Sequence, residues 1–189
     1  MGNLYIGLLH FPMRNRRGEI VATAMTSIDV HDIARTARTY GVARYFVVTP
    51  LLSQRQIGWR IRGFWTEGER AAEESGRGDA LELVAMADDL EETLGWIRDA
   101  EGRDPLLVAT SAKRHGKEQT SYAGLRERLC ESDEPVYILF GTGWGMTEEL
   151  IETCDLILPP IMPQSDFNHL SVRAAAAITL DRLAGESKE

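Results

Sequence analysis

The sequence predicts an α/β domain with a mostly parallel sheet and flanking helices. Six short apolar runs that read as buried strands recur along the chain, and segments of helical period fall between most of them. Strands that alternate with helices cross over and pair in parallel, with helices covering the faces. Length sets the scale, because 189 residues with 43% hydrophobic content bury one sizeable core and scarcely two. Residues 1–189 are therefore expected to form a single domain.

The elements follow in order. "LYIGLLH" at Leu4–His10 reads as the first strand. A helix is expected over Asp32–Tyr40, with Asp29 and Asp32 resembling a capping box. Its spacing turns Ile33, Ala34, Ala37 and Tyr40 toward the sheet and sets His31, Arg35 and Arg38 on one face. The strand "RYFVVTP" and a helix over Leu51–Trp65 come next, then Glu67–Asp79, which reads as a surface loop because one sheet continues across it. "ALELVAM" reads as a strand and Asp88–Glu101 as a helix, followed by the strand "PLLVATSA" and a helix over Tyr122–Glu131. The strand "VYILFGTG" runs into a helix over Thr147–Cys154, and the strand "LILPPI" leads through prolines into a helix over His169–Leu183 with Asn168 as its N-cap.

Composition excludes some functions. A net charge of -8 argues against a protein that grips nucleic acid through its overall field. It leaves room for a local basic face, since bases gather in "RNRRG", "ARTARTYGVAR" and "AKRHGK" while acids concentrate in "TEGERAAEESGRGDALE" and "ADDLEETLGWIRDAEG". The N-terminus has no basic region ahead of its short apolar run, and no apolar segment reaches the ~20 residues needed to span a bilayer. A cytoplasmic protein with no membrane partner is expected. Cys130 and Cys154 have no CxxC spacing and no histidine cluster nearby, which points to neither a disulfide framework nor a metal site.

In open α/β sheets, ligands gather outside the carboxyl ends of the strands. That edge collects "TSAKRHGK", "GTGWGM" and "PPIMPQSDFNHL". The GxGxG spacing of "GTGWGM" is not the GxGxxG of a dinucleotide fingerprint, and no Gly-Lys-Ser/Thr follows it as in a Walker A loop. The loop suits close backbone approach to a flat ligand such as adenine, or else a tight turn capped by Thr147. Pro159, Pro160 and Pro163 hold the following loop extended, ahead of a helix whose Ala174–Ala177 stretch suits packing against a second helix or subunit. An ordinary proline turn before a core helix is the alternative. Arg35 and Arg38, read as close to a helix start, are not explained by the helix dipole there and fit an anionic partner such as a nucleic-acid phosphate, or a solvated face.

Taken together, "RTARTYGV", "ILFGTGWGMTEEL" and "LILPPIMPQSDFNHLSVRAAAAI" resemble, in order and spacing, the three motifs of the SPOUT superfamily of S-adenosylmethionine-dependent RNA methyltransferases. Nearly the whole chain is similar to a bacterial family sometimes fused to tRNA guanine-N1 methyltransferase. The resemblance implies methylation of a ribose 2'-hydroxyl or a base of tRNA or rRNA by a homodimer that binds S-adenosyl-L-methionine in a C-terminal trefoil knot. General topology rules disfavour knots, so this expectation comes from the resemblance alone. It makes Gly141, Thr142 and Gly143 cofactor contacts, with Leu158, Pro160, Ile161, Asn168, Leu170 and Val172, and more weakly Thr110 and Ser111. A side chain at Gly143 would then fill space needed by the adenosine. Arg35 becomes the catalytic residue. Since a guanidinium is a poor base, it is assigned positioning and electrostatic activation, and His169 or Asp166 accepts the proton. His31, Arg38, Lys113 and Arg114 become RNA contacts. The sequence departs from the ribose-methylating pattern at Asp29 and His31 and over Asn168–Val172. A catalytically silent RNA- or ligand-binding homodimer of the same fold is the competing reading.

Overall fold

The computed structural model describes residues 2–67, 75–116, 120–162, 164 and 167–186. In chain order, β1 (Leu4–Leu9) is followed by a small hairpin, β2 (Met13–Arg14) and β3 (Ile20–Val21), then α1 (Ser27–Thr39), β4 (Arg44–Val48) and α2 (Leu52–Thr66). The chain continues with α3 (Ser75–Leu81), β5 (Val84–Ala87), α4 (Leu90–Glu101), β6 (Leu106–Ala109) and α5 (Tyr122–Glu131). It ends with β7 (Val136–Gly141), α6 (Glu148–Thr153), β8 (Leu156–Ile157) and α7 (Val172–Ala184).

Six strands form one sheet in the order β5-β4-β1-β7-β6-β8, and every pairing is parallel. β1 is the pivot, with Ile6 facing Tyr45 of β4 on one side and Ile138 of β7 on the other. Its alternate residues serve two cores. Leu4, Ile6 and Leu8 join Val30, Ile33, Ala37, Leu125, Leu180 and Leu183 beneath α1, α5 and α7, whereas Tyr5 and Leu9 join Ile97, Leu150 and Ile151 beneath α4 and α6. None of the helices is long and apolar enough to cross a membrane, among the described residues.

Several boundaries differ from the sequence reading. α1 starts at Ser27, and its cap is Thr26, whose hydroxyl accepts from Asp29 N at 3.3 Å and donates to Asp29 Oδ2 at 2.6 Å. The Asp29/Asp32 capping box is therefore corrected to Thr26/Asp29, a hydroxyl three residues ahead of an acid. The earlier start moves Arg35 and Arg38 away from the N-terminus, and Arg38 sits in the last turn, where the dipole favours a cation. Ala80 and Leu81 end a helix instead of opening a strand, and Ser75–Leu81 replaces part of the surface loop expected over Glu67–Asp79; residues 68–74 of that loop lie outside the described residues. A short apolar run does not by itself separate a buried helix end from a strand. Likewise α7 begins at Val172 and is capped by Ser171, which accepts from Ala174 N at 3.3 Å. The cap expected at Asn168 is thus replaced, and Asn168 donates instead to Ala112 O at 3.3 Å. The hairpin strands have 2 residues each, too few to show a period.

Candidate active site

Strand order reverses between β1 and β7, and in open parallel sheets such a switch point opens a crevice at the carboxyl ends. The loops leaving β1, β6 and β7, with the segment ahead of α7, enclose a cleft of about 820 Å³ there. That volume is within the range of pockets that hold small molecules.

One wall is the glycine loop after β7. A Cβ on Gly141 would lie 2.8 Å from Met146 Cγ, so the turn closes only over a bare Cα. Gly143 has φ +60°, a region that side-chain-bearing residues seldom enter. The hairpin clamps the loop from outside. Arg14 N donates to Gly145 O at 2.9 Å, Trp144 N to Arg14 O at 3.1 Å, and Thr147 N to Pro12 O at 3.3 Å. Thr142 Oγ1 donates to Leu9 O at 2.9 Å and shares a short hydrogen bond with the Thr23 hydroxyl. Thr23 in turn meets His10 Nδ1 at 3.0 Å. His10 is fully buried, and desolvation pushes its pKa down to about 4 against the opposing influence of Asp29, so the imidazole behind this wall is neutral at pH 7.

The facing wall follows β6. Thr110 Oγ1 donates to Leu139 O at 2.8 Å, which ties the end of β6 to β7. His115 folds back, its Nε2 2.9 Å from Ser111 Oγ and its Nδ1 3.1 Å from Glu148 Oε2 at the start of α6. The third wall is the segment ahead of α7, pinned to the β6 loop by the Asn168–Ala112 bond, with the His169 ring edge-on to Phe167 at 5.1 Å. Asp29 borders the cleft between α1 and α7. Arg173 donates to its Oδ1 at 3.1 Å and reaches Asp32 at 3.7 Å.

Thr110, Ser111, Gly141, Thr142 and Gly143 all line the cleft, as do Ile161, Asn168, Leu170 and Val172. Lys113 and His169 line it too. Leu158 and Pro160 are buried and do not line it, and Asp166 lies outside the described residues. Arg35 and Arg38 are exposed on α1 and Arg114 is exposed on the β6 loop, all three outside the cleft lining. His31 does not share their surroundings. It is half-buried edge-on to Trp65 of α2 at 6.1 Å, and burial first, then Arg77 and Arg35, lower its pKa against Asp32. Arg14, Thr23, Asp29, Trp144, His115 and Glu148 join the site without having been singled out for it. Only the spacing of Ser111 and His115 was visible locally, and a loop gives such spacing no fixed meaning.

A family model described as SAM-dependent RNA methyltransferase matches residues 3–185. The chain is 40% identical over 185 residues to a tRNA (guanine-N(1)-)-methyltransferase of Oleidesulfovibrio alaskensis (strain ATCC BAA-1058 / DSM 17464 / G20), covering 98% of this chain and 43% of that relative. The chain thus spans less than half of that protein. It is 39% identical over 186 residues to an uncharacterized protein of Aquifex aeolicus (strain VF5), covering 98% of this chain and 90% of that one. Its fold is similar to the SpoU methyltransferase AviRb of Streptomyces viridochromogenes in complex with the cofactor AdoMet, with TM-score 0.55 and 16% identity, covering 97% of this chain and 59% of that one.

Proposed function

Because the chain belongs to the SAM-dependent RNA methyltransferase family, we propose that its cleft binds S-adenosylmethionine and that the protein methylates a ribose 2'-hydroxyl or a base of tRNA or rRNA, with tRNA the first candidate. The observation that supports this most is the cleft at the switch point, walled by the glycine loop and by the segment ahead of α7. The residues present fit such a ligand. Gly141 keeps the loop backbone bare, Ile161, Leu170 and Val172 offer apolar surface to a flat ring, and Asp29 and Asn168 offer polar partners. When bound, the sulfonium supplies an electrophilic methyl carbon, which bonds to the acceptor oxygen or nitrogen as its bond to sulfur breaks.

The chain's own work is then alignment, exclusion of water and removal of one proton from the acceptor. Lys113 and Arg14 set positive charge at the cleft, and Arg35, Arg38 and Arg114 offer exposed cations to RNA phosphates outside it. The sequence offers His169 or Asp166, in the segment ahead of α7, as the proton acceptor on this reading. We further propose that this single domain carries the superfamily's trefoil knot at its C-terminal end and acts in the cytoplasm.

Incubation with labelled S-adenosylmethionine and total RNA from cells lacking this protein tests the reaction. Label is expected in one nucleoside of the tRNA fraction, and digestion to nucleosides separates ribose from base methylation. No incorporation into any RNA counts against the reading.

A homodimer is also expected. α7 leaves Ala174, Ala177 and Ile178 half-buried, and Ile28 on the neighbouring α1 is 50% exposed. An apolar helix with its small residues uncovered within one chain suits a self-complementary interface. Light scattering at micromolar concentration should give twice the chain mass, and a monomeric mass would count decisively against this.

A further inference from the structure

We infer that Ser111, His115 and Glu148 form a proton relay that deprotonates the acceptor group during methyl transfer. The inference rests on the methyltransferase reading above and replaces His169 or Asp166 with this relay as the route for the acceptor's proton. The three groups come from two elements, the loop after β6 and the start of α6, and they stand in line. Glu148 Oε2 is 3.1 Å from His115 Nδ1, and His115 Nε2 is 2.9 Å from Ser111 Oγ.

A neutral imidazole carries one N–H, and a carboxylate only accepts. Glu148 therefore holds the proton on Nδ1 and leaves Nε2 as an acceptor, to which Ser111 donates its hydroxyl hydrogen. Ser111 Oγ has two lone pairs, and one receives Lys113 N–H at 3.1 Å. Among the described residues, the other is left for a donor in the cleft that Ser111 lines. The donor this arrangement suits is the acceptor O–H or N–H of the RNA. As the methyl group arrives, the acceptor's proton passes to Ser111 Oγ, and the Ser111 hydroxyl proton passes to His115 Nε2. His115 becomes an imidazolium beside the Glu148 carboxylate, and the two proton transfers leave Ser111 with a hydroxyl again. Ser111 is the catalytic residue here, while His115 and Glu148 act through it and position it. The side chain of His115 is 10% exposed and that of Glu148 60%, so the relay meets the cleft through Ser111 while its carboxylate end is open to solvent. Among the described residues, the other ionisable groups lining the cleft are Arg14, Asp29, Lys113, Tyr122 and His169.

Two measurements test it. Long-range proton–nitrogen correlation spectra of the ¹⁵N-histidine-labelled protein should show His115 as the Nδ1–H tautomer, and Glu148→Gln should erode that preference. An Nε2–H tautomer in the wild-type protein would overturn the relay, whatever the activity. Turnover on RNA is the second measurement. His115→Gln should lower kcat roughly a hundredfold, the usual scale for a lost general base. Affinity for S-adenosylhomocysteine should stay unchanged by calorimetry, and Ser111→Ala combined with His115→Gln should cost little more than either alone. An unchanged kcat in His115→Gln, or a loss confined to cofactor affinity, would overturn the proposal. A wild-type protein that shows the Nδ1–H tautomer yet methylates no RNA would instead sink the reading of the reaction on which the relay rests.

Discussion

Gly143→Val is expected to abolish S-adenosylmethionine binding, seen in calorimetry as the loss of a one-site isotherm. The structure adds a reason to the one the sequence suggests. A Cβ at this position would meet Thr23 Cγ2 at 3.0 Å and Arg14 O at 3.4 Å, both on residues that line the cleft. It points at the clamping hairpin. Valine adds branched bulk where contact is already tight, at φ +60°, which a β-branched residue rarely adopts. Strain of about 1–3 kcal/mol is the usual cost of such a backbone position. The loop can relieve it only by moving Gly145 and Trp144 off their bonds to Arg14, and those bonds hold one wall of the cleft. Gly143→Ala carries the φ penalty with less bulk and should weaken binding by a smaller factor. Unchanged affinity in the valine variant would remove the pocket assignment.

Arg35→Ala should lower methyl transfer to RNA steeply while leaving thermal stability and cofactor affinity nearly unchanged. Arg35 is exposed on α1, and among the described residues its side chain makes no hydrogen bond or ion pair. The apolar side of the helix is anchored by Val30, Ile33, Ala34 and Ala37, which the substitution does not touch. A surface change of this kind usually moves stability by less than ~0.5 kcal/mol. The residue lies outside the cleft, so its loss should appear against RNA and not against the cofactor. If the variant unfolds, or loses cofactor affinity while keeping its maximal rate, Arg35 is structural or a cofactor contact. The chemistry then rests on the residues of the cleft alone.

Much of the site was legible because its chemistry is local. Gly141 to Gly143 and Asn168 to Val172 announce two loops at strand ends, and both line the cleft. His31 was less legible. Helical spacing placed it with Arg35 and Arg38, but a helix has more than two sides, and Trp65 of α2 covers the one His31 occupies. The start of α1 was missed because Asp29 and Asp32 made a passable cap, and Thr26 only declares itself once its hydroxyl is seen on Asp29 N.

By itself, the sequence determined a mostly parallel α/β core and the glycine and proline loops at its carboxyl edge, since apolar period and glycine spacing are properties of neighbouring residues. Strand order is not such a property. It decided that the hairpin after β1 would clamp the glycine loop, that Thr23 would bond Thr142 across 119 positions, and that Arg173 would pair with Asp29 across 144. It also set Glu148 beside His115, 33 positions away. The clamp and the Thr23–Thr142 bond follow from β1 lying beside β7, and the His115–Glu148 pair from β6 lying beside β7; hydrophobic period says which residues are buried, not which strand lies next to which.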